Sequence, residues 1–299
     1  SGVIALLLIV IIGIEGIGLY SFFAIFIPYI AVFIFIVGFI YRVLKWASSP
    51  VPFHIPTVSG QQKSLSWIKA DSIDSPFTRG GVVKRLALDI LLFRSLLKNE
   101  KVELEAPQRI LFRTSTLLWL GAMAFHWSFL VILLRHLRFF LEPVLTVVVI
   151  LQRLESIFQG LLPILYISDI ILLIALAYLF FRRVIYPQVR YISLPSDYFV
   201  LLVIAGIILS GVLMRLIYRV DLVQVKEWVM AMLRFSPLPP KGVNLVFYIH
   251  LFFVSLLVAY FPLSKLMHMP GIFLSPTKNL RNTSRNDRHI NPWDHPVKI

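Results

Sequence analysis

The sequence predicts an all-α integral membrane protein. It reads as a six-helix transmembrane bundle, with a five-helix core and one extra N-terminal helix. Three observations carry that reading. The 299 residues are 58% hydrophobic, and the mean hydropathy is +0.83, far above that of a soluble domain. Several apolar runs exceed the roughly 20 residues that cross a bilayer. Those runs are continuous rather than alternating in polarity, which favours helices over barrel strands in a medium that satisfies no backbone group.

Residues 1 to about 45 are nearly all apolar and too long for one straight span. The run Gly13-Ile14-Glu15-Gly16-Ile17-Gly18 offers a turn. It gives a first helix at about 1–15 and a second at about 21–45, with a single long tilted helix as the alternative. Glu15 is either a proton relay or a turn cap. Arg42, Lys45 and Trp46 suit an interface at the end of the second helix. A polar, basic loop follows at 47–109, opening with a Pro-rich piece at 49–56. Within it, residues 81–97 read as an amphipathic helix with Leu86, Ile90, Phe93 and Leu97 on one face, lying on the membrane or against a partner. A third span is expected at about 111–139. After Glu142-Pro143, residues 144–160 are apolar but carry Arg153 and Glu155, and read as a re-entrant or interfacial piece. Further spans are expected at about 161–182, 197–218 and 243–267, the second of them entered by Pro195-Ser196-Asp197. The tail from 269 is polar.

Charge orients the bundle. Of 29 Lys and Arg, the segments 42–113, 182–190 and 265–299 hold 12, 3 and 6, against 8 on the opposite side. Six spans return both termini to the basic side, which is then cytoplasmic. The formal charge of +14 is thereby explained by topology, and no nucleic-acid partner is expected. No cleavable signal peptide is expected either, since the first apolar run lacks a basic n-region and a small-residue cleavage site. Cysteine is absent. That excludes disulfides, cysteine-held iron–sulfur clusters and covalently attached haem in this chain.

Four histidines stand in the apolar spans: His126 and His136 on the third, His250 and His268 on the last. Ionisable groups in hydrocarbon are costly and usually face a bundle interior with a function. Ten residues, about 15 Å of helix, separate the first two. Eighteen residues, about 27 Å or five turns, separate the others, with Pro262 between them as a possible kink. Two facing helices with two imidazoles each predict bis-histidine ligation of two stacked, non-covalent haems b. The antiparallel course of the spans pairs His136 with His250 on the outer side and His126 with His268 on the cytoplasmic side. Haem propionates need cations: Arg135, Arg138, Arg215 and Arg219 stand near the outer level, Arg113 and Lys265 near the inner. His54, His289 and His295 read as solvated loop and tail residues. Four histidines spread through a bilayer do not make a zinc site.

The His-x9-His and His-x17-His spacings, with Phe261-Pro262-Leu263-Ser264-Lys265-Leu266-Met267-His268 closing the second, resemble the cytochrome b subunits of the respiratory nitrate reductase gamma type over about residues 21–270. Four features bring the chain near the HmeC-like (DsrM) branch, from a membrane redox complex of sulfate- and sulfur-metabolising microbes. They are Phe125-His126-Trp127-Ser128-Phe129, then Arg135-His136-Leu137-Arg138-Phe139-Phe140, and Leu194-Pro195-Ser196-Asp197-Tyr198, together with the tail from Phe273-Leu274-Ser275-Pro276 to Asn291-Pro292-Trp293. The resemblance implies a dihaem bundle at 21–270, preceded by an extra helix at 1–20 and followed by a cytoplasmic tail at 271–299. It implies that menaquinol is oxidised near the outer haem. Electrons then pass to a cytoplasmic iron–sulfur subunit resembling heterodisulfide reductase, alongside other membrane and extracytoplasmic redox subunits. Arg135, Glu142, Arg153 and Glu155 are the candidate quinol-site residues. Where nitrate-reducing members carry a quinol-site lysine, this chain offers Arg153 and no lysine. A non-redox membrane anchor and a proton-coupled transporter are the competing readings.

Overall fold

A computed structural model describes residues 2–49, 71–98, 100–105, 109–156 and 166–282. The Pro-rich piece from 50 onward, His54, residues 157–165, His289, His295 and the end of the tail lie outside the described residues. The chain divides into two compact units, 1–42 with 116–264, and 43–115 with 265–299.

The first unit is helical. α1 (Gly2–Ile11) runs into a π-helical turn, Ile12–Gly16. The chain then reverses at Ile17–Leu19, where Gly18 takes a φ of 73° that side chains other than glycine rarely adopt. A second π turn, Phe22–Phe26, leads into α2 (Ile27–Ala47). The break in the long N-terminal apolar run thus falls where the glycines cluster. α5 (Thr116–His136) ends in a 3-10 turn, Leu137–Phe139. α6 (Thr146–Ser156), α7 (Ile167–Ile185), the short α8 (Pro187–Ile192) and α9 (Pro195–Leu213) follow, α9 closing with a π turn at Met214–Tyr218. Asp221 caps α10 (Leu222–Leu233) through Val223 N at 2.8 Å. Asn244 caps α11 (Leu245–Tyr260) through Val246 N at 3.1 Å. Each such cap contributes about 1 kcal/mol.

Among the described residues, Phe22–Ala47, Thr116–Phe139, Pro195–Tyr218 and Leu245–Leu263 are long and apolar enough to cross a membrane. The protein is a multi-pass membrane protein. Gly2–Gly16 is shorter, and α7 carries Asp169, Arg182 and Arg183. Phe33, Leu117 and Ile174 are 68%, 68% and 66% exposed, as lipid-facing side chains are. Since lipid is as apolar as leucine, tight packing rather than water exclusion joins the helices. α5 packs on α7, and α9 on α11. Leu172, Leu176, Ile204 and Ile208 fill one core, with Phe125 and Phe129 against it. Val10, Ile14, Phe23, Val225, Trp228 and Phe247 fill another.

Two expectations for the spans are corrected. The third helix starts at Thr116, not 111, because β1 (Glu100–Glu105) and β2 (Arg109–Thr114) pair antiparallel from Glu105↔Arg109 to Glu100↔Thr114. Alternation in Lys101-Val102-Glu103-Leu104-Glu105 carries the strand period, and this hairpin departs from an all-α reading. The last span is not continuous to 267. α11 stops at Tyr260, 3-10 turns occupy Phe261–Leu263 and Lys265–Met267, and α12 (His268–Leu274) restarts at the histidine itself. Pro262 has no N–H to continue the helix, and Ser264 is extended. A Cβ on Gly38 would fall 2.7 Å from Pro262, so α2 meets this bend at a glycine. His250 and His268 therefore do not share one helix face.

The second unit joins the loop to the tail, which the sequence reading kept apart. Thr78 caps α3 (Arg79–Leu91) through Gly81 N at 3.0 Å. The expected helix at 81–97 is broken. Phe93 takes a φ of 50° and a separate turn, α4 (Arg94–Leu97), follows. The Asp89 carboxylate accepts from Ser95 N and Oγ at 3.2 and 2.7 Å, which ends α3 and starts α4. The buried face of α3 is Val82, Arg85 and Asp89, rather than the leucine stripe. Arg85 donates to the carbonyls of Asp74, Lys278 and Leu280. Lys278, in α13 (Pro276–Asn279), reaches Asp89 Oδ2 at 2.8 Å.

Candidate haem-ligating centre

His136 closes α5, and His250 stands in the second turn of α11. These helices make their main packing contacts elsewhere, yet the two rings lie 6.4 Å apart between centres with planes 14° from parallel. A metal–imidazole bond is about 2 Å, so a metal held axially between two imidazoles sets their centres roughly 6 Å apart. The spacing fits.

The orientation of each imidazole is held by its other nitrogen. Nδ1 of His136 lies 2.7 Å from the Ile132 carbonyl. Nδ1 of His250 lies 3.0 Å from the Ile207 carbonyl and 3.0 Å from Ser210 Oγ, both on α9. A carbonyl oxygen only accepts, so Nδ1 carries the proton and Nε2 keeps its lone pair. This is the arrangement that second partners impose on metal-binding histidine. The same holds for His126, whose Nδ1 is 2.7 Å from the Ala122 carbonyl, and for His268, 2.8 Å from that of Lys265. His126 belongs to the first unit and His268 to the second.

A Cβ on Gly211 would lie 3.3 Å from His250 Cε1. At Gly211, therefore, α9 brings bare backbone against the imidazole, beside the Ser210 hydroxyl. Phe139 flanks His136 at 6.0 Å between ring centres.

Next to His136 in sequence, Arg135 is buried and turned to the other side of the helix. Its guanidinium reaches Glu155 Oε2 at 2.9 Å and Asp169 Oδ1 at 2.6 Å. Ser168 donates to Glu155 from N and Oγ at 3.2 and 2.7 Å. The Tyr166 ring receives both Arg135 and Arg215, at 3.8 and 3.5 Å from its centre. Two cations and two carboxylates thus tie α5, α6, α7 and the turn after α9 into one polar knot. Arg135 and Glu155, both expected at the quinol site, are bound to each other there.

The remaining sequence candidates fall as follows. Arg138 sits on the turn after α5, 5.7 Å from the Phe139 ring centre. Glu142 is exposed and paired with Lys226 of α10. Arg153 and Arg219 are exposed, the latter with a φ of 43°. Arg113 lies opposite Lys101 in the hairpin, and Lys265 is exposed on a 3-10 turn, both in the second unit. Sequence reasoning missed Ser210, Gly211, Tyr166, Asp169 and Lys226. Ser210-Gly211 inside an apolar run, and Asp169 at the head of α7, were the signals available.

The chain is similar to known proteins. Residues 87–284 match the family described as Nitrate reductase gamma subunit. A protein of Archaeoglobus fulgidus named Hdr-like menaquinol oxidoreductase cytochrome b-like subunit is 43% identical over 279 residues, covering 91% of this chain and 83% of its own. A protein of the same name from Archaeoglobus profundus is 41% identical over 283 residues, covering 92% and 83%.

Proposed function

Since the chain belongs to the nitrate reductase gamma subunit family, we propose that it is the membrane cytochrome b subunit of a menaquinol-oxidising complex. The observation that carries this reading is the His136–His250 pair: two imidazoles 6.4 Å apart between centres, each with its Nδ1 proton given to a carbonyl. Those residues would hold one haem b. For the second, the sequence pairing of His126 with His268 is kept as part of the proposal. α1, α2, α5, α7, α9 and α11 are the six spans of the proposed bundle. A haem b held there would supply a one-electron couple, and the second partners and burial of the imidazoles that hold it would tune its potential.

In this reading Ser210 and the Ile207 and Ile132 carbonyls fix the imidazole tautomers. The Arg135–Glu155–Asp169 knot fixes the end of α5. Arg138 and Arg215 stand as the propionate partners, since Arg135 is spent on carboxylates. Electrons leave on the basic, cytoplasmic side to an iron–sulfur subunit resembling heterodisulfide reductase, and both termini lie on that side. The absence of cysteine requires cluster chemistry to reside in another chain.

A reduced-minus-oxidised optical spectrum with pyridine haemochrome quantification tests the reading on the purified chain. Two b-type haems per chain are expected. One haem leaves one histidine pair without a ligating role. A colourless protein, folded and supplied with haem, overturns the reading in favour of a non-redox anchor or a transporter.

A further inference from the structure

α3 in the second unit carries its charges inward and its apolar stripe outward. The buried face is Val82, Arg85 and Asp89, and the two charged residues are 4% and 6% exposed. Arg79, Val83, Ala87 and Leu91 recur every fourth residue and so share the opposite face. There Val83 is 66% exposed and Leu91 48%, and Leu92, just past the helix, is 51% exposed. A helix packed on a water-facing unit has the reverse pattern. Two exposed cations border the apolar stripe, Arg79 at its head and Lys84 beside Val83. The one carboxylate of α3, Asp89, is held on the buried side by Lys278 and Ser95. The outward face is therefore apolar and basic, with no acidic side chain on it.

We propose that this face of α3 lies in the head-group layer of an anionic membrane. Val83, Ala87 and Leu91 point toward the acyl chains, and Arg79 and Lys84 reach lipid phosphates. An apolar stripe edged by cations is the pattern of a helix that lies in the interface plane, and long basic side chains cover apolar surface with their stems while their heads stay at the polar layer. Chain connectivity brings the lipid within reach. The second unit joins the first at 42/43, 115/116 and 264/265. Each join falls within two helical turns of an end of an apolar helix long enough to cross a membrane: Phe22–Ala47, Thr116–Phe139 and Leu245–Leu263. Tethered in this way, a weak interfacial contact suffices, because the second binding event is intramolecular. The proposal does not depend on the haem assignment.

The chain has no cysteine, so a single introduced thiol carries a nitroxide label at one known place. Val83→Cys and Leu91→Cys report the outward face, and Ser72→Cys, exposed in the same unit, is the reference. The full chain is placed in nanodiscs of phosphatidylcholine with or without phosphatidylglycerol. Spin relaxation by oxygen, which enters lipid, is compared with relaxation by a water-soluble nickel chelate. With phosphatidylglycerol, labels at 83 and 91 should favour oxygen and be shielded from nickel, while the label at 72 meets nickel freely. Each cation near an anionic surface shifts such an equilibrium about fivefold. Arg79→Gln with Lys84→Gln, or pure phosphatidylcholine, should therefore raise nickel access at 83 and 91. Nickel access at 83 and 91 equal to that at 72 in anionic discs overturns the proposal and leaves the face for a protein partner. Shielding that ignores both the lipid charge and the two cations overturns the anionic assignment.

Discussion

The hydroxyl of Ser210 lies 3.0 Å from Nδ1 of His250, and it belongs to the facing helix α9 rather than to α11. The imidazole is therefore oriented across a helix interface. Removing a partner of this kind typically weakens metal binding 10–100-fold. Ser210→Ala leaves the Ile207 carbonyl in place, so the expected loss is near the lower end, about tenfold. Haem dissociation from the purified chain measures it. A dissociation rate equal to wild type shows that the hydroxyl adds nothing.

Gly211 tests the same interface by volume. An alanine Cβ at 3.3 Å from Cε1 forces the ring to yield by a few tenths of an ångström, and a valine leaves it no position. Gly211→Ala should shift the spectrum of one haem, and Gly211→Val should cost one haem of two. Retention of both haems in the valine variant removes the steric argument.

The Arg135 knot predicts an asymmetry in stability. Arg135→Ala leaves Glu155 and Asp169 as buried charges without their counter-ion, a change that typically costs about 3–5 kcal/mol. Asp169→Asn keeps Glu155 on the guanidinium and should cost less. Thermal unfolding in detergent ranks the two. Equal midpoints for Arg135→Ala and wild type would contradict a knot that holds the end of α5.

In the second unit the pH dependence follows from two carboxylates. The hydrogen bond from Arg94, opposed by burial and supported by Lys98, holds Asp74 well below the usual carboxylate range. Burial works to raise Asp89, but hydrogen bonds from Lys278 and Ser95 outweigh it and leave it lowered. A depressed carboxylate contributes its stability above its unfolded value, near 4, and loses it as pH falls through the folded value. Attachment of the 276–282 segment should thus be flat from about pH 5 to 8 and weaken below about pH 4. Limited proteolysis across that range follows it. Asp89→Asn should loosen the segment at neutral pH, and an equally protected tail in that variant would contradict the linkage.

What the sequence made legible was set by period and by glycine. The apolar runs marked the long helices, Gly13 to Gly18 marked the reversal, and the antiparallel course of the spans brought His136 near His250. What it hid depended on partners far along the chain. The inward face of α3 is Arg85 and Asp89 because Lys278 and Leu280 wait there, nearly two hundred residues later. A leucine stripe was the natural reading without them. Arg135 looked available for an anion because Glu155 and Asp169 are distant in sequence. The strand period at 101–105 was present but short, and the neighbouring apolar span absorbed it.

The tail-to-loop linkage also sets an order of events during synthesis. Asp89 leaves the ribosome 189 residues before Lys278, a delay of roughly ten to forty seconds at ordinary elongation rates. Through that interval every later membrane helix is being inserted while Arg85 and Asp89, one turn apart on α3, have only their near partners, the Asp74 carbonyl and Ser95. The unit closes when Lys278 arrives, so its closure reports that the whole bundle has already been threaded. A chain truncated before Pro276 would carry all four histidines and still leave this signal unsent.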